Sequence, residues 1–220
     1  MRIRYKPWAR KELEESKFYR ENAEELKGKW HNEFARPEQP FFVELGCGKG
    51  GFISQIASKH PENNYLGIDL VDPMLGLAKR KIEEIYKDKN KEIDNVLLTR
   101  FDIERILLIL EEADKVDGIY INFCNPWPRG KHHKKRLTHT KQLENYKQFL
   151  KPDGYIYFKT DDDNLFEESI SYFKQAGFTI EKITRDLKQE PDFWGNIETE
   201  HEKMFSEQGI KIKACITKNI

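Results

Sequence analysis

The chain has 220 residues, 35% of them charged, and its 38 basic residues balance 38 acidic ones. That length fits one domain with modest appendages and can bury a real core. A net charge of zero offers no bulk argument for nucleic acid, so any RNA site must come from how charge is distributed along the chain.

The three cysteines, Cys47, Cys124 and Cys215, lack C-x-x-C spacing, which points away from a disulfide framework or a zinc site and suits a reducing cytoplasm. The opening residues Met1 to Trp8 carry no apolar segment of the secretory kind. The longest purely aliphatic run, Ile106 to Leu110, is too short to cross a bilayer. The expectation is a cytoplasmic protein without membrane or metal partners, with monomer and homodimer both open.

Residues 1–40 are charged and helix-prone in their middle, between Lys6-Pro7-Trp8 and Gly28-Lys29-Trp30. They read as an extension ahead of a domain covering 41–220. Phe41 to Leu45 is a short apolar run ending in glycines, hence a buried strand and a tight turn, with a helix over 52–60. Tyr65 to Asp69 is the second strand, and Pro73 opens a helix reaching about Lys87. Strands at Val96 to Phe101, Gly118 to Phe123 and Tyr155 to Lys159 alternate with helices at Ile103 to Ala113, Thr138 to Leu150 and 162–176. Five strand–helix units imply an α/β fold of Rossmann-like type, a doubly wound, mostly parallel sheet. Two further strands near 178–184 and 210–217, separated by a polar stretch with a short helical piece, bring the count to seven and suggest a final antiparallel hairpin.

The first strand runs into Glu44-Leu45-Gly46-Cys47-Gly48-Lys49-Gly50-Gly51, glycines that allow a tight turn and close approach of a ligand to the backbone. Gly46, Gly48 and Gly51 also satisfy the dinucleotide pattern, and Asp69 at the end of the second strand suits ribose hydroxyls in either case. Glu44 decides between them. A carboxylate two residues before the first glycine would repel a pyrophosphate but suits S-adenosylmethionine (SAM), which carries an ammonium and a sulfonium. Lys49 is followed by Gly50 rather than Ser or Thr, so this is not a phosphate-binding P-loop. Asp102 ends the third strand, where it can accept from an adenine amino group or cap the residues that follow.

After the fourth strand comes Asn125-Pro126-Trp127-Pro128, then Arg129-Gly130-Lys131-His132-His133-Lys134-Lys135-Arg136. Ligands of open α/β sheets bind beyond the carboxyl ends of the strands. A proline-locked turn with an amide and an aromatic, followed by dense positive charge, is there a candidate phosphate-contact segment. A solvated charge run is the plainer alternative. The two histidines lack a third ligand at matching spacing and read as polar or stacking partners.

These residues resemble the bacterial tRNA (guanine-N7)-methyltransferase family of class I SAM-dependent methyltransferases over nearly the whole chain. The likeness is carried by Lys6-Pro7-Trp8, Gly28-Lys29-Trp30, the Glu44–Gly50 loop, Asn125-Pro126-Trp127-Pro128 with its basic tail, Phe158-Lys159-Thr160-Asp161, and Gly195-Asn196-Ile197-Glu198-Thr199-Glu200-His201-Glu202. The resemblance implies SAM as cofactor, held by Glu44, Gly46, Gly48, Asp69, Asp102 and Asn125. It implies a variable-loop guanine of tRNA as target, held by Arg129, Asp161, Thr199, Glu200, His201 and Glu202. RNA contacts are implied for Lys131, His132, His133, Lys134, Lys135 and Arg136, and Asn125 is implied as the catalytic position. From the residues alone, Asp161 also reads as a helix cap, and Thr199 with Glu202 as a capping box. This chain departs from the family at Asn125, usually Asp; at Asp69, usually Glu; and at His201, usually Tyr.

Guanine N7 has an in-plane lone pair and no proton, so its methylation requires alignment rather than a general base. Two other readings remain open. Asn125-Pro126-Trp127 partly matches the Asn-Pro-Pro-aromatic motif of adenine-N6 enzymes, and a tRNA-binding protein that lost catalysis through Asn125 would share the same motifs. An NAD oxidoreductase is disfavoured by Glu44.

Overall fold

The computed structural model describes residues 5–190, 193 and 195–220; residues 1–4, at the start of the expected extension, lie outside them. The chain forms two compact units, Met1–Asp114 and Lys115–Ile220.

The first unit is built on four parallel strands in the order β1-β4-β3-β2: β1 (Tyr19–Arg20), β2 (Phe41–Leu45), β3 (Asn64–Asp69) and β4 (Val96–Arg100). Their near-continuous apolar runs bury Val43, Leu45, Leu66, Ile68 and Leu98 completely, as strands covered on both faces require. Helix α1 (Pro7–Glu14) starts at Pro7 itself, where a missing N–H costs nothing. Helix α2 (Ile53–Lys59) follows the glycine loop, and α3 (Asp72–Asp88) follows β3. α1 and α3 approach closely at Gly76, where an added Cβ would stand 2.8 Å from the Ala9 Cβ.

The second unit orders its strands β5-β6-β8-β7: β5 (Val116–Asn122), β6 (Leu150–Thr160), β7 (Thr179–Thr184) and β8 (Lys213–Lys218). β5 and β6 pair in parallel, whereas β8 runs antiparallel to both β6 and β7. The expected C-terminal hairpin is present, and its returning strand β8 lies inside β7. Helices α4 (Thr140–Tyr146), α5 (Asp163–Gln175) and α6 (Glu200–Glu207) complete the unit.

The mostly parallel α/β architecture is as expected, with three corrections. The described residues hold eight strands rather than seven, because Tyr19–Arg20, in the stretch read as an extension, pairs with β4. The helix expected over 103–113 is replaced by 3-10 turns at Ile103–Leu108 and Glu112–Asp114, with Arg105 off helical values at φ −113° and ψ 24°. Asp114 is one cause: its carboxylate accepts from the Glu111 amide at 3.0 Å, a donor that an α-helix would direct to the Leu107 carbonyl. The helix expected over 138–150 spans only Thr140–Tyr146, since Phe149 and Leu150 are drawn into pairing with Val116.

Candidate functional site

In the first unit the acidic residues gather at the carboxyl ends of neighbouring strands. Glu44 is buried in β2 beside Gly67 of β3, and Asp69 ends β3 opposite Arg100 of β4. The loop after β2 folds back on β3, with the amides of Gly46 and Cys47 both donating to the Ile68 carbonyl, at 2.9 and 3.0 Å. Asp69 fixes that loop: its Oδ2 accepts from the Gly48 amide at 2.9 Å and its Oδ1 from the Val71 amide at 3.0 Å. Burial raises its pKa above the ordinary value for Asp, and these backbone donors pull the other way.

Gly46 (φ 79°), Gly48 (φ 53°) and Gly50 (φ 74°) take left-handed conformations that side chains resist. The three divide by surroundings. A Cβ at Gly46 or Gly48 would meet nothing within 4 Å, whereas one at Gly50 would stand 2.7 Å from the Ala78 Cβ. Gly50 therefore serves the packing of the loop on α3, while the backbone at Gly46 and Gly48 is left uncrowded. Carboxylates at Glu44 and Asp69, on neighbouring strands beside this loop, are a chemistry that suits a cationic, hydroxyl-bearing ligand and not a phosphate. Burial pushes the Cys47 thiol well up, reinforced by Asp69 and Glu44. Asp102 accepts from the Glu104 amide at 3.0 Å, so it does cap the turn after β4.

In the second unit, β5 runs into a loop whose Phe123 (φ 52°) and Trp127 (φ 44°) are left-handed without being glycine. Asn125 stands exposed between them and its Oδ1 accepts from the Trp127 amide at 3.0 Å, a turn that aspartate can make equally well. The Trp127 ring stacks on His132 at 5.7 Å between centroids, and the Lys135 ammonium lies 5.3 Å from its centre. Burial pushes the adjacent Cys124 thiol up to about 12, leaving no thiolate nucleophile there.

The basic run splits. Arg129, Lys131, Lys134 and Lys135 are exposed on or beside a 3-10 turn at Gly130–Lys135, and His132 and His133 are half-buried. Arg136, expected to contact RNA, is instead completely buried and hydrogen-bonded within the protein.

Asp161 follows β6 and lines a cavity of about 710 Å³ with Asp163, Arg185, Lys211 and Lys213. Capping of α5 falls to Asp162, which accepts from the Leu165 amide at 2.7 Å, so the cap reading of Asp161 gives way. Thr199 caps α6 by accepting from the Glu202 amide at 3.1 Å. The reciprocal half of a capping box does not form. Glu202 instead accepts from Lys159 Nζ at 2.7 Å and Asn196 Nδ2 at 2.7 Å, inside the protein. His201 and Glu200 are exposed, and the His201 ring stacks on Phe123 at 5.8 Å.

A family model described as "Putative methyltransferase" matches residues 38–215. The tRNA (guanine-N(7)-)-methyltransferase of Clostridium beijerinckii is 59% identical over 98% of both chains. Its counterpart of Clostridium perfringens strain SM101 is 54% identical over the full length of both. The chain belongs to the tRNA (guanine-N(7)-)-methyltransferase family. The Acetivibrio thermocellus member is 50% identical over 98% of each chain. Among solved structures, the 16S rRNA methyltransferase KamB has a TM-score of 0.60 at 13% identity over 82% of this chain and 88% of its own. A SAM dependent methyltransferase from Aquifex aeolicus reaches 0.54 at 14% identity, covering 82% of each chain. At such identities these two support the fold alone.

Three residues of this family member carry structure that spacing did not reveal. Asp114 is buried and accepts from the amides of Gly28 (2.9 Å), Trp30 (3.2 Å) and Glu111, so the Gly28-Lys29-Trp30 motif is an anchoring site for residues near the N-terminus. Lys159, fully buried, donates to Glu202, to Asn196 Oδ1 at 2.9 Å and to the Ile197 carbonyl at 3.0 Å, tying the Asn196–Glu202 segment to β6. Arg136 is the third. Among the described residues no cluster of three or more His, Cys, Asp or Glu could hold a metal, and no helix is long and apolar enough to cross a membrane.

Proposed function

We propose that this protein transfers a methyl group from SAM to N7 of a guanine in tRNA, giving 7-methylguanosine, and that the target is in the variable loop. Membership of the tRNA (guanine-N(7)-)-methyltransferase family along 98–100% of the chain is the observation that carries the reading. Such an enzyme works in the cytoplasm.

SAM, when bound, supplies a methyl group on a positively charged sulfur. In this reading the open backbone at Gly46 and Gly48 admits the ligand, Glu44 complements its positive charge, and Asp69 accepts from its ribose hydroxyls. Asp102 turns its remaining acceptor capacity toward the adenine amino group. Each carboxylate offers several lone-pair directions, so Asp69 and Asp102 can hold their backbone donors and a ligand together.

The guanine lone pair attacks without loss of a proton, and the purine gains a positive charge. The protein's task is orientation. Asn125, on a turn fixed by its own side-chain oxygen, presents amide N–H groups. Asp161 accepts from the N–H groups of the guanine edge and supplies the negative charge that Asn125 lacks. Arg129 and the Thr199–Glu202 segment hold the nucleoside, with Glu202 acting through its ion pair with Lys159. Lys131, Lys134 and Lys135 contact phosphates, with His132 and His133 beside them.

The adenine-N6 reading instead needs the Asn125 carbonyl to accept from an exocyclic amine in addition to the Trp127 amide that it already holds. Incubation with unmodified tRNA transcripts and methyl-labelled SAM, followed by nucleoside analysis, is expected to give labelled 7-methylguanosine. Labelled N6-methyladenosine would replace this reading with the other, and no label on any tRNA would leave a binding protein.

A further inference from the structure

We propose that Arg136 is a positioning residue of the methyl-transfer reaction, a buried clamp that holds the strained Asn125 loop in shape. The inference rests on the reading that Asn125 meets the target base.

As the last cation of a basic run, Arg136 should stand in water. Instead its side chain has 0% exposure and its guanidinium is used on every side. Nε donates to the Pro126 carbonyl at 2.7 Å, Nη1 to Glu168 Oε2 at 2.6 Å and Nη2 to Asn164 Oδ1 at 2.9 Å. Nη2 also lies 3.2 Å from His133 Nε2, while His133 Nδ1 lies 3.2 Å from Glu168 Oε2. The His133 ring thus lies against both the guanidinium and the carboxylate.

Glu168 is itself fixed, accepting from the Tyr172 hydroxyl at 2.8 Å and from Asn164 Nδ2 at 3.1 Å. Arg136 therefore fastens the loop to α5, a helix further held where the Thr138 and Ser169 hydroxyls meet at 2.6 Å. The loop needs such a fastening. Phe123 and Trp127, one before and one after the Asn125-Pro126 pair, both hold left-handed backbone that persists only where the surroundings impose it. Pro126 has no N–H, so its carbonyl is the handle it offers, and Arg136 takes it. Lysine cannot replace this, because a single ammonium cannot reproduce a planar fork spread over a carbonyl, a carboxylate and an amide.

The test compares wild type, Arg136→Lys and Glu168→Gln as full chains, with tRNA transcript and SAM. The expected result for both variants is a kcat lower by about 10- to 100-fold, the scale of misplacement in a reaction run by alignment. KM for tRNA and the salt slope of tRNA binding should stay at wild-type values, since no phosphate contact is lost. With 5-fluorotryptophan incorporated, the Trp127 resonance, assigned with Trp127→Phe, should shift in both variants. Glu168→Gln discriminates sharply, because removing a negative charge would strengthen a phosphate contact rather than weaken turnover. Wild-type kcat in either folded variant overturns the proposal, as does a salt slope reduced by about one unit with kcat retained. Should one variant fail to fold, the other decides. A wild-type chain silent on tRNA counts against the methyltransferase reading instead, and an unmoved Trp127 resonance would then still refute the clamp.

Discussion

The glycine loop after β2 and the proline-locked loop after β5 solve the same problem, a sharp turn at the carboxyl end of a strand, in opposite ways. The first uses glycine at its left-handed positions Gly46, Gly48 and Gly50, and leaves the backbone bare at Gly46 and Gly48. The second puts Phe123 and Trp127 into the same region of backbone space, at about 1–2 kcal/mol each. It must therefore be held by polar contacts: buried Arg136 on Pro126 from outside, and exposed Asn125 on Trp127 within the loop. The same style recurs nearby, where Lys159 secures Glu202 and Asn196. A loop that cradles a small ligand through its backbone gains by shedding side chains. A loop that presents particular side chains to a base has to keep them, and needs a clamp to orient them.

The largest effect should come from removing a clamp. Lys159→Met leaves the Glu202 carboxylate buried without its cation, a change that costs about 3–5 kcal/mol. Chemical denaturation should show the loss, and a variant as stable as wild type would mean that the second unit does not depend on its buried ion pair.

Next comes the cradle. Asp69→Ala should weaken SAM binding by about 1.5–3 kcal/mol, measured by calorimetry on a protein that still folds. Because burial raises the pKa of Asp69 in the folded chain, wild-type affinity should decline as pH falls through that raised value, as the carboxylate gains a proton and can no longer accept from two sides. Above it affinity should be level. In the protein without ligand the sign is opposite: the stability contributed by the neutral carboxyl is complete below the ordinary Asp value and is lost as pH rises through the raised one. An affinity indifferent to both the substitution and pH would take Asp69 out of the cradle.

Two glycines of one loop then sharpen the contrast. Gly50→Ala adds a clash with Ala78 to its backbone strain and should lower stability by about 1–3 kcal/mol through overpacking alone. Gly48→Ala has room for its methyl, so it should lose less stability and more SAM affinity. Thermal melts with and without SAM test this, and the reverse ranking would undo the division between packing and ligand. The smallest effect belongs to the surface. Lys134→Ala should reduce the salt slope of tRNA binding by about one unit without altering SAM affinity, and an unchanged slope would return Lys134 to solvent.

Sequence and structure agree most closely where the signal is local. β2 and β3 are apolar runs ending at glycine and aspartate, and their bounds are legible within a residue. The turn-forming glycines are equally plain, although nothing in the pattern separates Gly50 from Gly48, since only the position of Ala78 does so. The region 103–113 reads as helix because its residues favour one. Asp114 overrides that preference through bonds to Gly28 and Trp30, 86 and 84 residues away, and no local window contains them. Arg136 is hidden for the same reason. Within Lys134-Lys135-Arg136 the three cations look alike, and only the placement of Asn164 and Glu168 on α5 turns the last one inward.

In the proposed reaction Asn125 is the residue that orients the base. Turnover of unmodified tRNA by wild type and Asn125→Ala at saturating SAM, with the product nucleoside identified, tests it most directly. Wild type should form 7-methylguanosine, and Asn125→Ala should do so about 10- to 1000-fold more slowly, as when other preorganised polar groups are removed. Wild-type formation of 7-methylguanosine with no loss in Asn125→Ala would place the reaction centre elsewhere.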